Sequence, residues 1–166
     1  MKQLYPDSNQ LNCLSGVVSS MGEILKNSSS FLKVKKVTPA GSLSKKTILK
    51  NHKEVDCVYI LEHNGFSFYH NFSEVQRTLT ANLPKETKFK IGKHSISFKL
   101  ERPIGTVSVD LLPAFKINDL SQIMQVKNKE AYYGSTSLLQ RKYFKNIVQH
   151  YSRFTDLVRL LKFFWG

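Results

Sequence analysis

The stretch AGSLSKKTILK at residues 40–50, followed by EVDCVYIL at residues 54–61, decides how this chain of 166 residues is read. Residues 54–61 are rich in β-branched and aromatic side chains and predict a strand. Side chains alternate between the two faces of a strand, so Glu54 and Asp56 share one face while Val55 and Cys57 point into a core. Two acids side by side on an otherwise apolar strand repel each other, and a cation is the natural reason to tolerate them. Upstream, Pro39 to Ser42 breaks a preceding strand, and Ser42 or Ser44 is expected to cap a short helical turn running to Leu49. Gly41 at such a turn lets backbone N–H groups approach a phosphate, and Ser42 adds a hydroxyl, with Lys45 and Lys46 just behind. A Gly-Ser pair alone is also an ordinary turn. GSLSKKT is not a P-loop, because the second glycine is missing at the required spacing.

Downstream, TVSVDLL at 106–112 predicts another strand, ended by Pro113. Asp110 lies inside it, where an acid is costly unless paired or metal-bound. If this strand neighbours 54–61, oxygens of Glu54, Asp56 and Asp110 converge as hard ligands suited to Mg²⁺. Two such ions would activate an attacking hydroxyl and neutralise a leaving pyrophosphate. The other reading makes Glu54 an edge residue and Asp110 a strand-end acid bonded to backbone N–H groups.

Around this centre the elements are mixed. Leu11, Leu14, Val17, Val18, Met21 and Leu25 recur at helical spacing over 9–25, although Gly16 and Gly22 each weaken a helix by about 1 kcal/mol. Residues 31–38 predict a strand, Asn64-Gly65 a turn, 72–83 a helix with Val75, Leu79 and Leu83 on one face, and 89–91 and 95–101 paired short strands. Residues 137–165 are helical in pattern, breaking near Tyr151-Ser152. The fold class is therefore α+β, with a largely antiparallel or mixed central sheet flanked by helices. The expected organisation is one domain over 1–166, with its sheet at 31–117.

Gly41-Ser42, Glu54-Val55-Asp56 and Val109-Asp110 together resemble the signature of DNA polymerase β-type nucleotidyltransferases. AGSLSKKTILK, EVDCVYIL, VSVDLLPAF, SLLQRKYF and LVRLLKFFW are similar to the oligoadenylate synthase family, the matches being spread over residues 40–166, which is most of the chain. The resemblance implies a polymerase β-like core in which Gly41 and Ser42 hold the donor triphosphate of ATP. It implies that Glu54, Asp56 and Asp110 bind two Mg²⁺ ions, with Asp110 also helping to deprotonate a ribose hydroxyl. Lys162 matches a helix lysine that reaches the donor phosphates, and Arg141 a position on a surface that meets double-stranded RNA. The sequence departs from that family in carrying Glu54 where Asp is usual; Glu-x-Asp is the form of cyclic GMP-AMP synthases. No His/Cys cluster resembles the zinc insertion of the latter. Against that family, residues 1–166 are expected to supply the core with the C-terminal helical lobe largely absent.

Charge sharpens the choice of partner. The chain carries 25 Lys+Arg against 12 Asp+Glu, a formal net charge of +13, with 41% hydrophobic residues, so a packed basic globule is expected rather than a disordered tail. Lysines crowd the acid-free stretch between Glu23 and Glu54, including Lys33, Lys35, Lys36, Lys45 and Lys46. A second basic block holds Arg141, Lys142, Lys145, Arg153, Arg159 and Lys162. Blocks of this kind read as an electrostatic footprint for duplex backbone, with Lys33, Lys35, Lys36, Lys45, Lys46, Arg141 and Lys145 as RNA contacts. No membrane span is expected, and the apolar stripe at 154–165 reads as core rather than lipid-binding. Two cysteines and a polar N-terminus without signal-peptide character set a cytoplasmic, or nuclear, expectation. The histidines show no metal-ligand spacing with the cysteines. The first functional expectation is a template-independent transferase making oligoadenylate from ATP, switched on by double-stranded RNA in antiviral immunity. Its rivals are an inactive RNA-binding module and a cyclic-dinucleotide synthase.

Overall fold

The computed structural model describes residues 4–27, 33–62, 69–92, 95–116, 123–128, 131–135 and 137–165, with side chains outside the described set at 69–71 and 115–142. Helix α1 (Ser8–Lys26) starts at Asp7, whose carboxylate accepts from the Gln10 backbone N–H at 2.7 Å. It buries Leu14, Val17, Val18, Met21 and Leu25 of the stripe expected from the spacing, whereas Leu11 at its N-terminal end is exposed.

Strand β1 (Val34–Pro39) leads into a one-turn helix, α2 (Gly41–Ser44), and then into β2 (Glu54–Leu61). Helix α3 (Tyr69–Asn82), β3 (Lys90–Ile91), β4 (Ile96–Arg102) and β5 (Gly105–Lys116) follow, then β6 (Ile123–Asn128) and β7 (Ala131–Ser135). Helices α4 (Ser137–His150) and α5 (Phe154–Trp165) come last. The seven-stranded sheet has the order β1-β2-β5-β4-β3, and β6 pairs with both β5 and β7. It is mixed: β2 and β5 run parallel, and the other pairs are antiparallel.

The alternation of each strand sorts its residues between two faces. Val55, Cys57 and Tyr59 of β2 and Val107, Val109 and Leu111 of β5 join α1, Val75 and Leu79 in the main core. Burying each such aliphatic side chain contributes about 1.5–3 kcal/mol. The opposite face of the same strands carries Val58, Ile60 and Ala114, with Leu112 and Ala40 against them. That second face is also the one on which Glu54, Asp56 and Asp110 lie.

The structure corrects several expectations from the sequence. The helical turn after Gly41 ends at Ser44, not Leu49, because Lys46 adopts φ 57 and turns the chain out of the helix. Neither serine caps it: Ala40 is the N-cap and makes no side-chain bond, and the Ser44 hydroxyl instead donates to Gly41 O at 3.0 Å. Strand β5 runs through Pro113, which pairs with Tyr59 on one side. On its other side Pro113 falls between Leu111, the last partner of β4, and Ala114, the first partner of β6, so its missing N–H need not cost a ladder bond. The hairpin β6–β7 was not expected; its connection, Lys129-Glu130, has none of the Gly or Asn-Gly character that marks a tight turn.

The last correction concerns α5, whose apolar stripe is not core. Leu157, Leu161, Phe163, Phe164 and Trp165 are exposed, because the helix docks through Arg159 and Lys162 instead. Among the described residues no helix is long and apolar enough to cross a membrane. The Asn64-Gly65 turn lies outside the described residues.

Candidate active site

Parallel pairing of β2 with β5 sets Asp56 opposite Asp110. Adjacent strands lie about 4.8 Å apart, and side chains at paired positions project from the same face. One carboxylate oxygen each of Glu54, Asp56 and Asp110 accordingly lies within 4.8 Å of the other two. The neighbouring strand order, β1-β2-β5-β4, meets the condition on which the convergence of these acids depended. Three carboxylates form a hard-oxygen donor set, which fits Mg²⁺ or Mn²⁺.

The electrostatics reflect the crowding of the three acids. Burial, then the nearby Glu54 and Asp110, pushes the Asp56 carboxyl up, with His52 and Lys162 pulling the other way. Burial and Asp56 push the Cys57 thiol up to about 12, so Cys57 is an inert core residue, not a nucleophile.

Gly41 sits directly against the acids. Its φ of +53° is the left-handed region, and a Cβ built there would overlap Asp56 Oδ2 and lie 3.0 Å from its Cγ. Only glycine satisfies both the backbone and the contact. The turn is tied to β2 by Ala40 N–H donating to Asp56 O at 2.8 Å, so the Gly41-Ser42 backbone and the Asp56 carboxylate are positioned by one strand end.

The Lys162 ammonium donates to Thr47 Oγ1 at 3.3 Å and is held near Asp56 and Lys45. Burial, then Lys45, pushes its pKa down, while Asp56 opposes. Lys45 and Lys162 thus gather on the rim of the acidic centre. Lys33, Lys35 and Lys36 are exposed on or beside edge strand β1, where a register shift between Val34 and Lys36 leaves Lys35 and Lys36 both outward. Lys46 is exposed after α2, and Lys145 on α4. Arg141 is also on α4, with its side chain outside the described residues.

Arg159 does not belong to the basic surface. It is 8% exposed and donates to Lys46 O at 2.6 Å, Ile48 O at 3.3 Å and Asp156 Oδ1 at 3.3 Å, with its guanidinium 4.5 Å from the Tyr5 ring centroid. It fastens the segment that joins the Gly41 turn to Glu54. Its neighbours at Leu157, Leu160 and Leu161 gave no sign of this, since a buried arginine on a helix looks like any surface one.

His52 was also overlooked. Its Nε2 lies 3.0 Å from Glu54 Oε2. The signal was available as the two-residue spacing of His52, Glu54 and Asp56, which a search for Cys/His clusters ignores.

No family model matches the chain, and no curated protein matches it in sequence. Solved structures match it in fold. CdnC of E. coli MS115-1 with ATP gives a TM-score of 0.73 at 16% identity, over 97% of this chain and 53% of that one. The STING-associated CdnE c-di-GMP synthase from Capnocytophaga granulosa gives 0.76 at 14% identity, over 94% and 52%. A cytoplasmic RNA terminal U-transferase gives 0.61 at 14% identity, over 97% and 41%. The chain has the nucleotidyltransferase fold and spans between 41% and 53% of the length of these three structures.

Proposed function

We propose that residues 1–166 form a nucleotidyltransferase core domain that transfers a nucleotidyl group from a nucleoside triphosphate to a hydroxyl without a template. The observation that carries this reading is the Asp56–Asp110 register, which brings three acids together beside the Gly41 turn. Glu54, Asp56 and Asp110 would hold Mg²⁺, which would supply Lewis-acid activation of the attacking hydroxyl and charge neutralisation at the leaving pyrophosphate; two ions is the number the family resemblance implies. The backbone at Gly41 and the Ser42 hydroxyl hold the donor phosphates, on a turn whose left-handed glycine packs directly against Asp56. Lys162 and Lys45 add positive charge where the triphosphate enters. Asp110 accepts the proton of the attacking ribose hydroxyl.

ATP is the first donor to test, 2′-5′-oligoadenylate the first product, and double-stranded RNA the first activator, on the similarity to oligoadenylate synthases. RNA on the exposed lysines would act by favouring the arrangement in which the acids converge. A second reading, cyclic-dinucleotide synthesis, draws on Glu54-x-Asp56 and on the likeness to a c-di-GMP synthase. Incubation with ATP, GTP and Mg²⁺, with and without duplex RNA, followed by chromatography, separates them. Linear 2′-5′ oligomers support the first reading and cyclic products the second. Absence of any product, with salt-sensitive duplex RNA binding retained, would replace both with a binding module.

A further inference from the structure

Residues 45–53, between the Gly41 turn and Glu54, are fastened from two sides. Arg159 holds the Lys46 and Ile48 carbonyls from α5. Gln10 of α1, 5% exposed, holds the other end: its Nε2 donates to Leu49 O at 3.0 Å and to His52 O at 2.9 Å, and its Oε1 accepts from Asn51 N at 3.2 Å. A buried amide with its hydrogen-bonding capacity spent on one loop fixes that loop's backbone. The backbone so fixed is that of His52, and the His52 imidazole is what touches Glu54.

Glu54 needs such a restraint. Its side chain is about half exposed, with 46% relative accessibility, and it has one more rotatable bond than an aspartate at the same place. The geometry points to His52 as a positioning residue for Glu54: Nε2 holds Oε2 at 3.0 Å, keeping the carboxylate where its ligand oxygen meets those of Asp56 and Asp110. A histidine that orients a ligating carboxylate in this way acts on cation affinity through the ligand, without itself contacting the ion. The inference rests on the reading of the three acids as a cation site, and it assigns a role that Asp at position 54 would need less.

Titration of the purified chain with Mn²⁺, followed by the electron paramagnetic resonance signal of the free ion, tests it without recourse to activity. His52→Ala is expected to weaken Mn²⁺ binding roughly 10–100-fold. His52→Gln, whose amide also donates to the carboxylate, is expected to recover part of the loss. The melting midpoint of the Mn²⁺-free chain should stay unchanged in both, since the pair is half exposed. Asp110→Ala serves as the control that removes a ligand. Binding in wild type and in His52→Ala alike, with Asp110→Ala deficient, overturns the role of His52 and leaves the cation site standing. A Gln variant no better than Ala also overturns it, because the hydrogen bond is the claimed agent. A wild-type chain that does not bind Mn²⁺ overturns the site itself, and this role with it.

Discussion

Replacing Gly41 with alanine places a Cβ where the backbone is left-handed and where the Asp56 carboxylate already stands. The backbone part costs about 1–2 kcal/mol for an L-residue in that region. Relieving the overlap forces Asp56 away from its rotamer, at about 0.5–1.5 kcal/mol. A total of about 1.5–3.5 kcal/mol lowers the melting midpoint of a chain of this size by about 3–14 °C. The two parts separate in a double-mutant cycle of wild type, Gly41→Ala, Asp56→Ala and the double variant, melted in the presence of a chelator. In the Asp56→Ala background the overlap is gone, so Gly41→Ala should cost only its backbone part, about 1–2 kcal/mol. Equal costs in the two backgrounds, to within about 0.5 kcal/mol, would refute the close approach of Gly41 to Asp56. A neutral Gly41→Ala would refute the turn geometry as well.

Other outcomes follow from the same contacts. Because burial, Glu54 and Asp110 raise the Asp56 carboxyl above its ordinary 3.8, the cation-free folded chain holds that proton more tightly than the unfolded chain does. The stability contributed is complete below about pH 4 and is lost as pH rises through the raised value, so chelated Asp56→Asn should melt above wild type at neutral pH. The gap should close as the pH is lowered toward 4, in melts across that range. Arg159→Ala should cost about 3 kcal/mol by urea denaturation with unchanged m, because two backbone carbonyls lose a charged donor. Arg159→Lys should recover little of this, since one ammonium cannot span the contacts of the guanidinium fork. Replacing Lys35 and Lys36 together by Gln should reduce the salt slope of duplex RNA binding by roughly 2, on about one released counterion per phosphate contact; an unchanged slope would remove β1 from the RNA surface.

The strands that carry the site were legible because period-two alternation separates Glu54 and Asp56 from Val55 and Cys57, and the same logic covers Val109 and Asp110. Their partnership was not. Whether β5 lies beside β2, parallel and in the register that sets Asp110 against Asp56, depends on packing between segments about fifty residues apart. The helix α1 and the break between α4 and α5 were clear from spacing and from Tyr151-Ser152. What failed was any inference that turned on which face of an element meets the body. The polar residues of α5 read as surface and its apolar stripe as core, yet Arg159 is the buried anchor and Leu157, Leu161 and Phe164 face outward. Amphipathic spacing shows that a helix has two faces, and here hydrogen bonds to the Lys46, Thr47 and Ile48 carbonyls decide which one docks. His52 and Gln10 escaped notice for a related reason: each acts through a backbone or carboxylate partner that no residue count reveals.

The most direct measurement of the central claim is pyrophosphate release from ribonucleoside triphosphates as a function of Mg²⁺, in wild type and Asp56→Ala. Mg²⁺-dependent release by wild type, abolished in Asp56→Ala while the fold is retained, is the expected result. No release from any of the common triphosphates, with or without duplex RNA, or equal release by the two proteins, would contradict a nucleotidyl-transfer centre at Glu54, Asp56 and Asp110.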